Sequence, residues 1–196
     1  MKRQTVYHIF TRIPTLETDR LILRRMQLSD ADDMHEYAHR ADVTKHLTWD
    51  PHPDIMYTRE YLAYVGAHYT AGDFFDWAVV ERESGRMIGT CGFTRFHCES
   101  DSAEIGYVIN PAFWGRGIAT EAVGAVIRFG FQKLELNRIE AKFMEGNEAS
   151  RRVMEKNGMR FEGIGRQCMY IKGEYRNVGT CAILRQDFYS WENAPY

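Results

Sequence analysis

The chain has 196 residues, of which 44% are apolar and 27% charged, and a formal net charge of −2. These values suit a single globular domain with a buried core. So slight a charge gives no electrostatic case for nucleic acid as a partner, and no run approaches the ~18 apolar residues that read as a membrane span.

In chain order, residues 1–14 read as an extension with little periodic pattern, residues 15–188 as the domain and residues 189–196 as a tail. The basic start has no apolar stretch behind it, which argues against a secretory signal and for a cytoplasmic protein. Leu21 and Leu23 share one face of a predicted strand over residues 21–26. Ser29 and Asp32 have the spacing of a capping box, predicting a helix to about Ala38. Pro51 and Pro53 break the chain before a second helical stretch, in which Met56, Tyr61, Leu62, Tyr64 and Val65 recur at three- and four-residue spacing. Two antiparallel strands, 75–81 and 87–96, are joined through a turn containing Gly85, and a further strand spans 103–109. A helix follows over 118–133, then a strand over 139–144 and a helix over 148–157 with Gly158 placed as its left-handed cap. Two long strands, 161–170 and 175–188, close the chain through a hairpin at Lys172-Gly173-Glu174. Hairpins mixed with strand–helix alternation predict an α/β fold with a mixed, mostly antiparallel sheet, unlike a strict doubly wound order.

Between the strand ending at Ile109 and the helix starting at Ile118 lies Asn110-Pro111-Ala112-Phe113-Trp114-Gly115-Arg116-Gly117. Two glycines in a strand-to-helix loop let an anion approach main-chain N–H groups at the positive end of a helix dipole. The loop is neither of the two common nucleotide loops. Thr120 stands where a dinucleotide fingerprint needs its third glycine, and no Gly-Lys-Ser/Thr follows. A bare strand-to-helix turn would use the same glycines, so the loop alone does not settle a ligand.

Trp114-Gly115-Arg116-Gly117-Ile118-Ala119 resembles the Q/R-x-x-G-x-G/A pyrophosphate loop of the GNAT N-acetyltransferases. The longer W-G-x-G-x-A-T-E-A run is similar to the RimJ/RimL branch, which acetylates protein N-termini and various small amines. Trp114 departs from the general pattern at its first position. A second segment, Asn147 to Gly158 and on to Gly163, resembles the N-x-x-S-x-x-V-x-E-K-x-G signature of the same family. Lys172-Gly173-Glu174-Tyr175-Arg176-Asn177 is similar to a family hairpin, with Asn177 replacing the usual Asp.

The resemblance implies a GNAT-like fold, a central mixed sheet splayed open after the fourth predicted strand, flanked by helices. It implies acetyl-CoA as cosubstrate and direct acetyl transfer to a primary amine, most readily a protein N-terminal α-amino group. Acetylation of a small-molecule amine, or a silent CoA-binding sensor, are the alternatives. The cofactor is expected along Tyr107, Val108 and Ile109, at Trp114, on the N–H groups of Gly115, Arg116, Gly117, Ile118 and Ala119, on the Thr120 hydroxyl, and at Asn147 and Ser150. Four scattered cysteines, Cys91, Cys98, Cys168 and Cys181, and His35, His39, His46 and His97 show no metal spacing, so no metal is expected. A homodimer is within the family's range.

Glu104 sits inside the apolar strand Ala103-Glu104-Ile105-Gly106-Tyr107-Val108-Ile109, where a charge is costly unless paired or used. It reads either as the base that takes the amine proton or as an edge carboxylate paired with an Arg such as Arg95. Gly106 is expected to mark a bulge that offers main-chain donors to the acyl oxygen. Ser150 is the candidate acid for the leaving thiolate, with Tyr107 as the alternative. Trp49, Asp50, His52, Tyr57, Tyr61, Tyr64 and His68 fall in the region that, by resemblance, covers the acceptor.

Overall fold

The apolar alternation becomes one eight-stranded sheet in the computed structural model, which describes residues 3–192. In chain order the strands are β1 (Leu16–Glu17), β2 (Leu21–Arg24), β3 (Asp76–Glu81), β4 (Met87–His97), β5 (Ser102–Ile109), β6 (Arg138–Met144), β7 (Arg160–Ile171) and β8 (Glu174–Leu184). They lie side by side as β1-β2-β3-β4-β5-β6-β8-β7. All neighbours are antiparallel except β5 and β6, which are joined by the crossover helix α5 (Ile118–Gln132). A parallel pair needs such a crossover because its two strands start at the same end.

The parallel pair is hydrogen-bonded only from Ser102 to Ile105, against Arg138 to Ala141. Beyond Ile105, β5 continues to Ile109 without β6 beside it. This is the expected opening after the fourth predicted strand, which is β5.

Period-two alternation sorts the side chains into two layers. Trp77, Val79, Cys91, Phe93, Ala103 and Ile105 face α5 and α6 (Glu148–Lys156) and build the larger core cluster. Ala78, Val80 and Met87 face the other way, into a second cluster with α2 (Ala31–Ala38) and α4 (Ile55–Ala71). The sheet thus separates two compartments, and any chemistry linking them must pass through the gap between β5 and β6.

Several sequence expectations change here. The N-terminal extension contains helix α1 (Arg3–Thr11), with Val6 and Phe10 buried in the larger cluster. Among the described residues Val6 and Phe10 are its buried anchors and Ile9 packs beside them, a stretch too short to show periodicity. The capping box falls elsewhere than Ser29 and Asp32. Asp30 accepts from Gln27 N at 2.8 Å and takes two bonds from the Arg24 guanidinium, which starts a 3-10 turn (Leu28–Asp30) ahead of α2. A short helix, α3 (Ala41–Thr44), had no forecast.

Helix α4 begins where the Asp54 carboxylate accepts from Tyr57 N at 2.8 Å, and it ends at Gly72 in the left-handed region. That phase buries Thr58, Leu62, Val65 and Tyr69 and leaves Met56 and Tyr64 in solvent. The last strand stops at Leu184, not 188. Residues 185–188 open helix α7 (Arg185–Glu192), whose Phe188 stacks on Phe131 at 5.0 Å, so the forecast division at 188 cuts through a helix. Residues 193–196 of the forecast tail lie outside the described residues.

Candidate active site

The glycine loop has the geometry its sequence implies. Asn110 is buried; its Oδ1 accepts from Ala112 N at 3.0 Å, and its Nδ2 donates to Glu36 at 3.1 Å. This sets the 3-10 turn Pro111–Phe113. Gly115 and Gly117 then take φ of +73° and +77°, and Gly117 is the N-cap of α5. The N–H groups of the first turn of a helix have no intrahelical acceptor, and here they open from a segment with no Cβ at either glycine.

The loop is braced from outside. The Arg20 guanidinium donates to Arg116 O at 2.8 Å, and Glu121 in the first turn of α5 accepts from Arg20 Nε at 2.6 Å, Arg20 N at 2.9 Å and Thr18 Oγ1 at 2.6 Å. Arg116 is half exposed and reaches Glu81 at 3.3 Å, while its guanidinium lies 5.0 Å from the Phe113 ring centroid. Trp114 is anchored by Nε1 donating to Ile109 O at 2.6 Å, with its ring largely in solvent. Ile118 is fully buried, and Ala119 packs on the same core. A negative ligand would meet main-chain donors, the α5 dipole and a cation that a small side-chain rotation supplies.

Helix α6 faces the loop across the opening. The Asn147 side chain accepts from Ser150 N at 3.2 Å, so Asn147 is the N-cap, and Gly158 has φ +77° at the far end. The Ser150 hydroxyl lies 2.8 Å from the Tyr107 hydroxyl, and Tyr107 also donates to Ser150 O at 3.0 Å. Two candidate acids proposed separately from the sequence are therefore one hydrogen-bonded pair bridging β5 and α6. Burial raises the Tyr107 pKa, an effect partly opposed by its bond to Ser150, so the phenol stays protonated and donates. Of the expected cofactor contacts, Val108 sends its side chain to the opposite layer, packing on the α2–α4 cluster, while Ile109 stays with the α5 layer.

Glu104 points to the α2–α4 side of β5. Its carboxylate accepts from Lys142 of β6 at Oε2 and from the Thr94 hydroxyl at 3.2 Å at Oε1. The expected Arg95 partner is replaced by Lys142. Arg95 is opposite Glu104 in register, but a lysine two residues beyond Glu140 on the neighbouring parallel strand reaches the same face. A carboxylate has roughly four acceptor positions, so two bonds leave room for an amine proton.

The bulge expected at Gly106 is absent from β5. Gly106 pairs regularly with Gly92, and the register slips on β4 instead, between Phe93 and Arg95. The splay leaves β5 beyond Ile105 without its β6 neighbour. A Cβ on Gly106 would meet Thr94 Cγ2 at 2.8 Å, so the glycine makes room for the Thr94 side chain that reaches Glu104.

The acceptor-side aromatics divide. Trp49, Tyr57 and Tyr61 ring the buried His52 at 5.4, 4.9 and 5.7 Å, and His52 Nδ1 lies 2.9 Å from Thr58 Oγ1. Tyr64 and His68 stack on each other away from that group, with His68 bonded to Asp73 at 2.7 Å. Asp50 is exposed and lies 3.9 Å from Lys172, which ties the β7–β8 hairpin down by donating to Thr44 O at 2.7 Å. Asn177 bridges Glu145 and Gln167 N at 2.8 Å each, and a cavity of about 580 Å³ opens beside them under Lys45 and His46. His35 bonds Thr58 at 2.9 Å and His39 caps the end of α2. Among the described residues no group of His, Cys, Asp and Glu could hold a metal, and no helix is long and apolar enough to cross a membrane.

Sequence reading passed over Arg20, Lys142, Thr94 and Asp76. Asp76 carried the same signal as Glu104, a carboxylate at the edge of an apolar run (Phe74-Phe75-Asp76-Trp77-Ala78-Val79-Val80). Arg20 and Lys142 have no local signature, because their partners are distant in the chain.

Comparison with known proteins agrees with this arrangement. Residues 20–160 match the family model described as an acetyltransferase (GNAT) domain. The chain is 34% identical over 174 residues to a Bacillus licheniformis protein described as "uncharacterized N-acetyltransferase p20", covering 89% of this chain and 98% of that one. It is 25% identical over 184 residues to the [ribosomal protein uS5]-alanine N-acetyltransferase of Escherichia coli, covering 88% and 92%. A crystal structure of a GNAT-family acetyltransferase from Bacillus anthracis superposes with a TM-score of 0.79 at 29% identity, covering 88% of this chain and 99% of that one. A dipole-backed glycine loop, a splayed parallel pair and a match over most of the chain place this protein in the GNAT N-acetyltransferase family, whose cosubstrate is acetyl-CoA.

Proposed function

We propose that this protein acetylates protein N-terminal α-amino groups. The observation that carries the reading is the pairing of two donor–acceptor sets across one gap. Tyr107 and Ser150 lie on the α5–α6 side, and Glu104 lies on the α2–α4 side of the same strand. The resemblance to an enzyme named for a ribosomal-protein alanine supports a protein acceptor.

The residues divide the work as follows. The N–H groups of Gly115 to Ala119, with Thr120 and Arg116, bind the pyrophosphate, and Asn147 the pantetheine arm, leaving the thioester in the opening between β5 and β6. The amine approaches beside Gly106, which itself carries no side chain, and past the Thr94 methyl. Glu104, held in place by Lys142 and Thr94, takes the proton as the N–C bond forms. The Tyr107–Ser150 pair returns a proton to the departing thiolate. Nothing covalent forms on the protein, and most of the rate gain comes from holding the two reactants in line.

The test is CoA thiol release from acetyl-CoA with short peptides beginning Ala, Ser or Met, against polyamines, free amino acids and aminoglycosides. Peptide turnover is the expected result, with kcat falling roughly 10²- to 10⁴-fold in Glu104→Gln, the usual worth of a general base. Turnover with small amines alone would replace the acceptor class. Acetyl-CoA binding with no turnover on any acceptor would overturn the enzymatic reading in favour of a sensor.

A further inference from the structure

Asp76, at the head of β3, lies on the same face of the sheet as Glu104, and nothing in the reaction outlined above uses it. Alternation puts Trp77 in the α5 layer and Ala78 in the α2–α4 layer, so Asp76 belongs with Ala78. In register Asp76 is opposite Gly92, and Gly92 is opposite Gly106. Asp76, Gly92 and Gly106 therefore form one row across three strands, with a carboxylate at one end and the amine's approach at the other. A Cβ on Gly92 would stand 2.7 Å from Asp76 Oδ1 and 2.4 Å from Asp76 Cα, so the carboxylate sits directly against this glycine. Facing positions on antiparallel strands are about 4.5–5.5 Å apart, so an amine over Gly106 is roughly one hydrogen-bonded water from Asp76.

The surroundings of Asp76 suit a cation. Among the described residues no Lys, Arg or His forms an ion pair with it. Its oxygens accept from Trp77 N at 3.0 Å and from the Thr90 side chain. Tyrosines cover it from the helices. The Tyr69 hydroxyl donates to Asp76 O at 2.6 Å, and Tyr61 lies close enough to interact electrostatically. Tyr37 of α2 is fully buried, its hydroxyl has no hydrogen-bond partner among the described residues, and Tyr61 and Asp76 are its foremost ionisable neighbours. A buried hydroxyl is stabilised by a hydrogen-bond partner, and an ammonium donor would supply one. Asp76 lies deep, yet part of the residue still reaches solvent.

We infer that Asp76, with the tyrosines Tyr37, Tyr61 and Tyr69, forms a docking subsite for the protonated amino group of the acceptor, one step before that group reaches Glu104. An ammonium carries three N–H donors. The Asp76 carboxylate and the Tyr37 oxygen accept two of them, and aromatic walls favour the charge. The inference rests on the proposed acetyl transfer to an amine and adds a charge-selecting step to it. Asp76 is a positioning residue here; the proton is still removed at Glu104.

Burial pushes the Asp76 carboxyl up to about 7, against the smaller opposing pull of Thr90 and the Trp77 N–H. The groups facing it are Tyr37 from α2 and Tyr61 and Tyr69 from α4, with Cys91 of β4 behind the sheet in the α5 layer, all pushed up by burial and uncharged near neutrality. The Arg25 guanidinium lies over the Tyr69 ring, and His52, lowered by burial, lies against Tyr61. Docking therefore needs a pH above about 7, where Asp76 is ionised, and an acceptor that is still protonated, as an α-amino group of pKa about 8 is.

The sign of the stability effect separates this role from a structural one. A carboxyl whose folded pKa is raised destabilises the native state above that pKa, and the penalty disappears below the unfolded value near 4. Asp76→Asn should melt higher than the parent at pH 8, with the difference closing as pH falls. A carboxylate that held the fold together would give the opposite sign.

The experiment measures CoA release with an Ala-terminated peptide by the parent, Asp76→Asn and Tyr37→Phe, from pH 6 to 9. Calorimetry of the same peptide and of its α-N-acetyl form on the enzyme–CoA complex accompanies it. For Asp76→Asn the expected result is an acceptor KM raised about tenfold or more, a shift of about 1.4 kcal/mol, with kcat within a factor of about two. The acid limb of kcat/KM near pH 7 disappears, and stabilisation by acetyl-CoA is unchanged. Tyr37→Phe raises KM in the same direction without loss of Tm. The free-amine peptide binds the parent and weakens in Asp76→Asn, and the acetylated peptide does not distinguish the two. An unchanged KM and acid limb, or equal binding of the free-amine peptide to parent and variant, overturns the subsite. Failure of the acetyl-transfer reading is recognised separately, as absence of CoA release by the parent; the calorimetric comparison still decides the subsite in that case.

Discussion

Phe10→Ala tests whether α1 belongs to the fold, because Phe10 is its most deeply buried ring. Phe10 is fully buried, and five aromatic rings lie around it: Phe75 at 5.0 Å, Trp77 at 5.4 Å, Phe96 at 6.1 Å, Phe129 at 6.2 Å and Phe93 at 6.4 Å. Those rings come from the chain before β3, from β3 and β4, and from α5, so the cavity left by alanine cannot close by moving one element. Truncating a core Phe to Ala costs about 3–5 kcal/mol, and the number of edge-to-face contacts argues for the upper half of that range. In a chain of this length 1 kcal/mol moves Tm by about 2–4 °C, so a fall of roughly 10–15 °C is expected. Urea and thermal melts followed by near-UV circular dichroism report it directly, the ring cluster itself being the chromophore. A loss below about 1 kcal/mol, with unchanged near-UV signal, would mean that α1 does not pack on the core and would refute the reasoning.

Two further outcomes follow from the loop and from the acidic groups. Gly117→Ala meets no clash, its Cβ lying 3.5 Å from Arg20 Nη2, but φ of +77° costs an L-residue about 1–2 kcal/mol, so acetyl-CoA binding measured by calorimetry should weaken about tenfold as the loop relaxes; undiminished binding would show that the loop's left-handed geometry is not needed. Glu36, lowered by its bonds to Arg86 and Asn110, and Glu121, lowered by Thr18 and Arg20 despite the opposing effect of burial, both stabilise the native state above the unfolded carboxyl value and lose that contribution as pH falls through their lower folded values. Thermal melts should therefore decline below about pH 4.5, and Glu121→Gln should flatten part of that decline by freeing the glycine loop from Arg20.

What the sequence determined by itself is what short segments determine. Gly115 and Gly117 sit between an apolar strand and an apolar helix, and that succession fixes a loop with left-handed glycines and open N–H groups whatever lies around it. Asn147 at the head of α6 and Gly158 after its end set that helix's limits by side-chain capping and a left-handed stop, interactions that span a few residues. The alternation in β3 to β6 likewise fixed which residues share a face, which is why Glu104 could be singled out before its surroundings were known.

Tertiary structure decided everything that depends on residues distant in the chain. Glu104 took Lys142 as its partner in place of Arg95, because β6 lies parallel beside β5 and brings a residue 38 positions away onto the same face. No bulge forms at Gly106, and what opens β5 is its divergence from β6 beyond Ile105, a property of how two strands are packed and of no single residue. Tyr107 and Ser150 became one pair only when α6 closed over β5. Helix α1 exists because Val6 and Phe10 find a ready aromatic pocket, and α7 ends the last strand early because Phe188 packs on Phe131. Local pattern reports the cost of each residue's immediate conformation. The energy that places Arg20, Lys142 and Asp76 comes from contacts that no window of sequence contains.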